Sequence, residues 1–266
     1  SSIYESVKAC NNQPLPLSMN DSIKSEFSEI GITRGLQLYL PFTENKNDYW
    51  KGMHSLIDTG NAITYDSSVP PITGALFQNT NVNQYLSIPL ADLGIESGKD
   101  FTVTFLSRVT STTPTGTLFS LYDNINNQPG ISYHFRPGFG GSKEYNLRMN
   151  PVGAVSDMGQ LKTVTSPPDT WVFFAISLDT RTGKMYRFRQ VLNDPPVSGP
   201  FMLTAVPNLV YDELRIAAGL NNIISEFKVF NVALTSKEMA TECLRNTAVA
   251  SVGKGMIQTA GTFNEL

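Results

Sequence analysis

Two oxygen-rich runs hold the residues of this chain best suited to chemistry. Glu44-Asn45-Lys46-Asn47-Asp48 and Asp58-Thr59-Gly60-Asn61 each gather carboxylates and amides within a few positions. Calcium takes several hard oxygen ligands of this kind from carboxylates, amides and backbone carbonyls. Lys46 opposes a cation, and the competing reading is a pair of ordinary turns closed by Asx side chains. Trp50 follows in the same polar stretch, where a tryptophan is less expected than in a core. Trp50, Tyr49 and Phe139 are the candidates to stack on a sugar ring; Trp50 suits covering the rim of the fold equally well. Arg136, Arg148, Arg187 and Arg189 fall on expected strands. Arg187 and Arg189, at i and i+2, share one face. If those strands are neighbours, the four arginines make a basic face able to hold a sulfated or acidic glycan through charge-assisted bonds. The competing reading is a solvated outer face.

Other chemistries find little support. His54 and His134 are the only histidines, and neither has a partner at zinc-ligand spacing. No G-x-S-x-G context marks a nucleophilic serine. Gly138-Phe139-Gly140-Gly141 lacks the lysine and helix of a phosphate-cradling loop. The net charge of −3 argues against non-specific binding to nucleic acid. No apolar run approaches the roughly 20 residues of a membrane helix. Two cysteines, Cys10 and Cys243, stand near opposite ends; in a secreted protein such a pair reads as one disulfide, in a cytosolic one as two buried thiols. Asn20-Asp21-Ser22 is a glycosylation sequon, making Asn20 the candidate acceptor. The opening Ser1-Ser2-Ile3, with neither methionine nor signal peptide, fits a processed form.

Strands must position these groups. Only 16% of the 266 residues are charged, so hydroxyls and amides keep the surface in water, as in many extracellular β proteins. Phe101, Val103 and Phe105 alternate with Thr102 and Thr104, which predicts a strand with the aromatics facing the core. Trp171 to Arg189 reads as a hairpin about the turn 179–184, with Trp171 as anchor and Tyr186 and Phe188 alternating with Met185, Arg187 and Arg189. Further strands are expected at 35–42, ended by Pro41, and at 62–65, 74–77, 84–89, 118–122, 131–136, 145–149, 160–164, 213–218 and 223–230. Thr235 to Leu244 is the best helix, with Thr235 and Glu238 at capping-box spacing; 21–30 is a weaker one. A dozen short strands with little helix predict an antiparallel sandwich or barrel.

The order of motifs resembles the laminin-G-like, concanavalin A-like jelly-roll superfamily. The carriers are Gly35-Leu36-Gln37-Leu38-Tyr39-Leu40-Pro41-Phe42, Gly74-Ala75-Leu76-Phe77, Tyr85-Leu86-Ser87-Ile88-Pro89, Phe101 to Phe105, the hairpin Trp171 to Tyr186, and Glu226 to Glu238. The resemblance implies an all-β fold: a two-sheet antiparallel jelly-roll β-sandwich with one short C-terminal helix. It divides the chain into an N-terminal extension at 1–34 packed on the sandwich, the jelly roll at 35–246 and a tail at 247–266. It also implies calcium at the sandwich rim, with Glu44, Asp48, Asp58 and Glu226 as ligands, although Ser225 replaces one carboxylate of the usual pair. Glycoside hydrolases of this fold carry E-x-D-x-x-E on one strand, which is absent here; Asp212, Glu213 and Glu226 stand isolated. The functional expectation is a secreted or cell-surface, non-catalytic binding or adhesion module whose partner is an extracellular protein or a glycan. The alternatives are a lectin using the concave face or Trp50 and, less favoured, a glycoside hydrolase.

Overall fold

The computed structural model describes residues 30–252 apart from 43–44, 51, 61–62, 67–73, 79–83, 110–115, 138–142, 151, 153–160, 167–168, 192–200, 204–207 and 219–220. Among the described residues fifteen strands build two antiparallel sheets, as the jelly-roll expectation requires. The eight-stranded sheet runs β13 (Phe201–Leu203), β12 (Lys184–Val191), β11 (Val172–Asp179), β6 (Phe101–Val109), β15 (Asn221–Phe230), β4 (Gly74–Gln78) and β3 (Ile63–Asp66). Its last member, β1 (Leu36–Leu40), shares one edge of β15 with β4: β4 pairs Asn221–Ile224 and β1 pairs Phe227–Phe230. At the break stands Glu226, with φ of 53°, where the β15–β6 register also slips. The seven-stranded sheet runs β10 (Leu161–Ser166), β9 (Lys143–Met149), β8 (Gln128–Pro137), β7 (Gly116–Asp123), β14 (Glu213–Ala218), β5 (Tyr85–Pro89) and β2 (Ile57–Thr59).

The sheets close on an aromatic core. Phe105, Phe174 and Phe227 from the eight-stranded sheet meet Phe119, Tyr133 and Tyr145 from the other, all buried. Ring centroids lie 5.3 Å apart for Phe105–Phe174, 5.8 Å for Phe105–Phe119 and 4.7 Å for Tyr145–Phe174. Edge-to-face and tilted pairs of this kind add to what burial alone contributes.

A second core covers the opposite face of the eight-stranded sheet. Trp171, Phe173, Leu106, Ile223, Phe230 and Tyr39 pack there beneath Met239 and Cys243 of helix α1 (Ser236–Val252). The helix begins with the expected capping box: the Glu238 N–H donates to Thr235 Oγ1 at 3.2 Å, and the Thr235 N–H donates to Glu238 Oε1 at 2.9 Å. It continues to Val252, past the expected end at Leu244. No helix among the described residues is long and apolar enough to cross a membrane.

The second core inverts the expected facing of β12. Arg187 pairs with Ile176, and Ile176 with Val103, so all three point into the sandwich. Met185 does the same beside Leu178, while Tyr186 packs on the second core. A sheet covered on both faces has no solvent face to reveal its inward side by polarity.

Four charged side chains lie buried between the eight-stranded sheet and α1. The Lys228 ammonium donates to Glu242 at 2.8 and 3.1 Å and to the Ile30 carbonyl. Arg245 donates to Glu226 at 3.4 Å and to the Tyr39 hydroxyl at 3.0 Å, and that hydroxyl donates to Glu226. Burial, with Arg245 beside it, lowers the Lys228 pKa to about 8. Burial and the Glu226 carboxylate raise the Tyr39 phenol well above its ordinary range. The end of the N-terminal extension is clasped by the same helix: Glu242 accepts the Ile32 N–H at 2.7 Å, and Arg34 grips Glu238 at 2.7 and 2.8 Å.

Candidate functional site

The loop between β1 and β2 is folded back on β1 by one residue. The Tyr39 N–H donates to Asp48 Oδ1 at 3.1 Å, and the Tyr39 carbonyl accepts the Tyr49 N–H at 2.8 Å. The same Asp48 oxygen accepts the Trp50 N–H at 2.9 Å. Asn45 Oδ1 accepts the Asn47 N–H at 2.9 Å, the Asx-turn that the residue types allowed. These bonds leave a cleft of about 330 Å³ lined by Lys46, Asn47, Asp48, Gly52, His54, Ser55 and Leu56.

The cleft is polar within and apolar at its margin. Asp48 is only 6% exposed, and its Oδ2 receives no hydrogen bond from the described residues. A buried carboxylate oxygen without a donor is costly until a water or ligand supplies one. Lys46 leans on Asp58 at 3.7 Å. In the same stretch of chain, each next to a lining residue, Tyr49, Met53 and Ile57 are exposed by 50%, 71% and 62%, three of the five large hydrophobics exposed among the described residues. Clustered exposure of this kind marks a contact surface, whereas scattered exposure does not.

The expected binding residues are placed differently. Trp50 is partly buried against the second core, so Tyr49, not Trp50, is the aromatic offered to solvent. The four arginines do not share a face. Arg136 and Arg148 lie on β8 and β9 of the seven-stranded sheet, whereas Arg187 and Arg189 lie on β12 of the other. Arg187 is 3% exposed and donates inward to the Tyr145 carbonyl at 3.4 Å. The side chains of Arg136 and Arg189 lie outside the described residues.

The expected calcium ligands are likewise dispersed. Glu226 is taken by Tyr39 and Arg245, Asp58 by Lys46, and Asp48 Oδ1 by two backbone N–H groups. Glu44 lies outside the described residues, among which no three His, Cys, Asp or Glu side chains gather to hold a metal ion. The described donor set therefore does not fit calcium. Cys243 is fully buried and no cysteine among the described residues is free; Cys10 and Asn20 lie outside them.

Sequence reasoning missed one feature and left a second open. Arg215 is held between the rings of Tyr122 and Tyr85, at 3.5 and 4.3 Å, with Glu213 at 2.6 Å. The first two of these contacts cross strands that are distant in sequence, so no local pattern announces them. The exposure of Tyr49 over Trp50 depends on which of two adjacent aromatics reaches the second core, which spacing alone does not reveal.

No family model matches the chain, and no curated protein matches it in sequence. Among solved structures, it is similar to the binding domain of Botulinum neurotoxin DC in complex with rat synaptotagmin II, at 11% identity and a TM-score of 0.54, over 80% of this chain and 52% of that one. The same domain in complex with SialylT gives 14% identity and a TM-score of 0.52, over 83% and 52%. A mutant of Trypanosoma rangeli sialidase displaying trans-sialidase activity gives 10% identity and a TM-score of 0.52, over 94% of this chain and 39% of that one. The chain thus spans about half, or less, of the length of these three solved chains. At these identities the likeness is one of fold alone, a two-sheet antiparallel β-sandwich.

Proposed function

We propose that this chain is a non-catalytic binding module that holds a saccharide in the cleft between Lys46 and Leu56. The observation that carries the reading is Tyr49, half exposed and next in the chain to Asp48, which lines the polar cleft and has an oxygen without a donor among the described residues. A sugar presents both matching surfaces: hydroxyls for Asp48, Asn47, Ser55 and His54, and a C–H face for the Tyr49 ring. The volume of about 330 Å³ falls within the roughly 300–1,000 Å³ of small-ligand sites. The non-catalytic part is supported by the fate of the isolated carboxylates: Glu213 is bound to Arg215, and Glu226 is fully buried with Tyr39 and Arg245. Neither forms an open pair able to flank a glycosidic bond.

A protein partner is the second reading, favoured by Met53 and Ile57, whose exposed side chains suit an interface better than a sugar. The fold accommodates both partner classes, since the neurotoxin domain of like fold forms complexes with synaptotagmin and with SialylT. A secreted or cell-surface setting, with Cys10 bonded to Cys243, belongs to the same proposal. It is supported by the hydroxyl- and amide-rich composition and by the absence of a free cysteine among the described residues. A glycan array, followed by mass measurement with and without reductant, tests it. Saturable binding competed by free sugar, and a two-hydrogen mass difference, are expected. An array without a single saturable ligand would retire the saccharide reading.

A further inference from the structure

We infer that Tyr39 is the positioning residue of the cleft and that helix α1, through Arg245, is its anchor, so that the cleft has its binding shape only while the helix is docked. The inference rests on the saccharide reading for its ligand but not for its geometry.

The two ends of Tyr39 do different work. Its backbone holds the loop: Asp48 and Tyr49 bond directly to it, and Trp50 bonds to the same Asp48 oxygen, so three consecutive residues are tied to the backbone of one residue. Two of the three are the donor-poor carboxylate and the exposed aromatic of the site. Its side chain is fixed elsewhere. On β1, Leu38 and Leu40 enter the main core, so Tyr39 points to the opposite face, under α1. There its hydroxyl donates to Glu226 and accepts from Arg245 Nη2 at 3.0 Å. The Arg245 guanidinium carbon and the Lys228 ammonium stand 5.6 and 5.1 Å from its ring centroid. A phenylalanine would fill the same space without making either hydrogen bond.

The helix is in turn secured by partners from the sheet and the N-terminal extension. Lys228 of β15 holds Glu242, the Ile32 N–H holds the same carboxylate, and Arg34 holds Glu238. A displacement of α1 removes Arg245 from both Tyr39 and Glu226. The loop-holding strand is then free to shift at the residue from which the cleft is hung.

The test is amide hydrogen exchange on the full chain and on Tyr39→Phe and Arg245→Lys variants, with β6 and β11 as internal reference. Exchange at the Tyr49 and Trp50 amides is expected to rise about tenfold in both variants while β6 and β11 stay protected, as local rather than global opening requires. Affinity for the array's best saccharide should weaken by a comparable factor. Unchanged exchange at those two amides would overturn the inference. So would a rise shared equally by β6 and β11, because the charged network would then hold the whole fold and not the loop. Arg245→Lys, which retains the charge, decides the matter if Tyr39→Phe perturbs packing. A wild-type chain that binds no saccharide retires the ligand reading, and the exchange result still decides this one.

Discussion

Replacing Glu242 by glutamine leaves the shape of the buried network and removes half of its negative charge. Lys228 and Arg245 then share Glu226 alone, with the Lys228 side chain wholly buried. Breaking one partner of a buried pair costs about 3–5 kcal/mol, because the other charge stays buried and uncompensated. For a chain of this size each kcal/mol lowers Tm by roughly 2–4 °C, so a fall of about 6–20 °C is expected. The pH dependence supplies a second check. Burial lowers the Lys228 pKa to about 8 from the ordinary 10.5 of a lysine. Between those values the unfolded chain binds more protons than the folded one, so stability rises with pH across the window. Losing the Glu242 carboxylate lowers that pKa further, and a neutral lysine no longer needs the missing charge. The destabilisation of Glu242→Gln should therefore be smaller at pH 9.5 than at pH 7. The Tyr39 and Tyr211 phenols, both raised by burial, remain protonated at both values. Urea denaturation at the two pH values measures this, with Lys228→Met/Glu242→Leu as the control that restores most of the loss. A loss under about 1 kcal/mol, or one of equal size at both pH values, would refute the reasoning.

Three further perturbations follow from particular contacts. A Cβ on Gly130 would stand 2.4 Å from the Val210 carbonyl oxygen, so Gly130→Ala should destabilise by about 1–3 kcal/mol in a denaturation curve. Thr235→Ala removes the side chain of the capping box and should cost about 1 kcal/mol, read as loss of protection in the first turn of α1. Melting with chelator and then with millimolar calcium should give the same Tm, since Asp58 and Glu226 already have protein partners; a calcium-dependent rise would show a site built with residues such as Glu44.

Much of the fold was legible because its signals are local. The alternation at Phe101–Phe105 and the capping box each depend on residues a few positions apart, and both stand as expected. β2 and β13, three residues each, are too short to show a period. The facing of β12 was misread because both faces of its sheet are buried, so Arg187 could enter the sandwich while Tyr186 packed outside it. The site was legible only in outline. The oxygen-rich loop does form the cleft, but its ligands turn to Tyr39 and Lys46 instead of to one another. Those partners are set by tertiary contacts that residue spacing does not encode.

The most direct measurement is a calorimetric titration of the array's best saccharide into the wild-type chain and into Tyr49→Ala. The Tyr49 ring is half exposed, so its removal should leave the melting temperature in place. A ligand stacked on it should bind about tenfold more weakly, at the same stoichiometry. Equal affinity in the two chains would contradict the account, and place the saccharide away from the cleft.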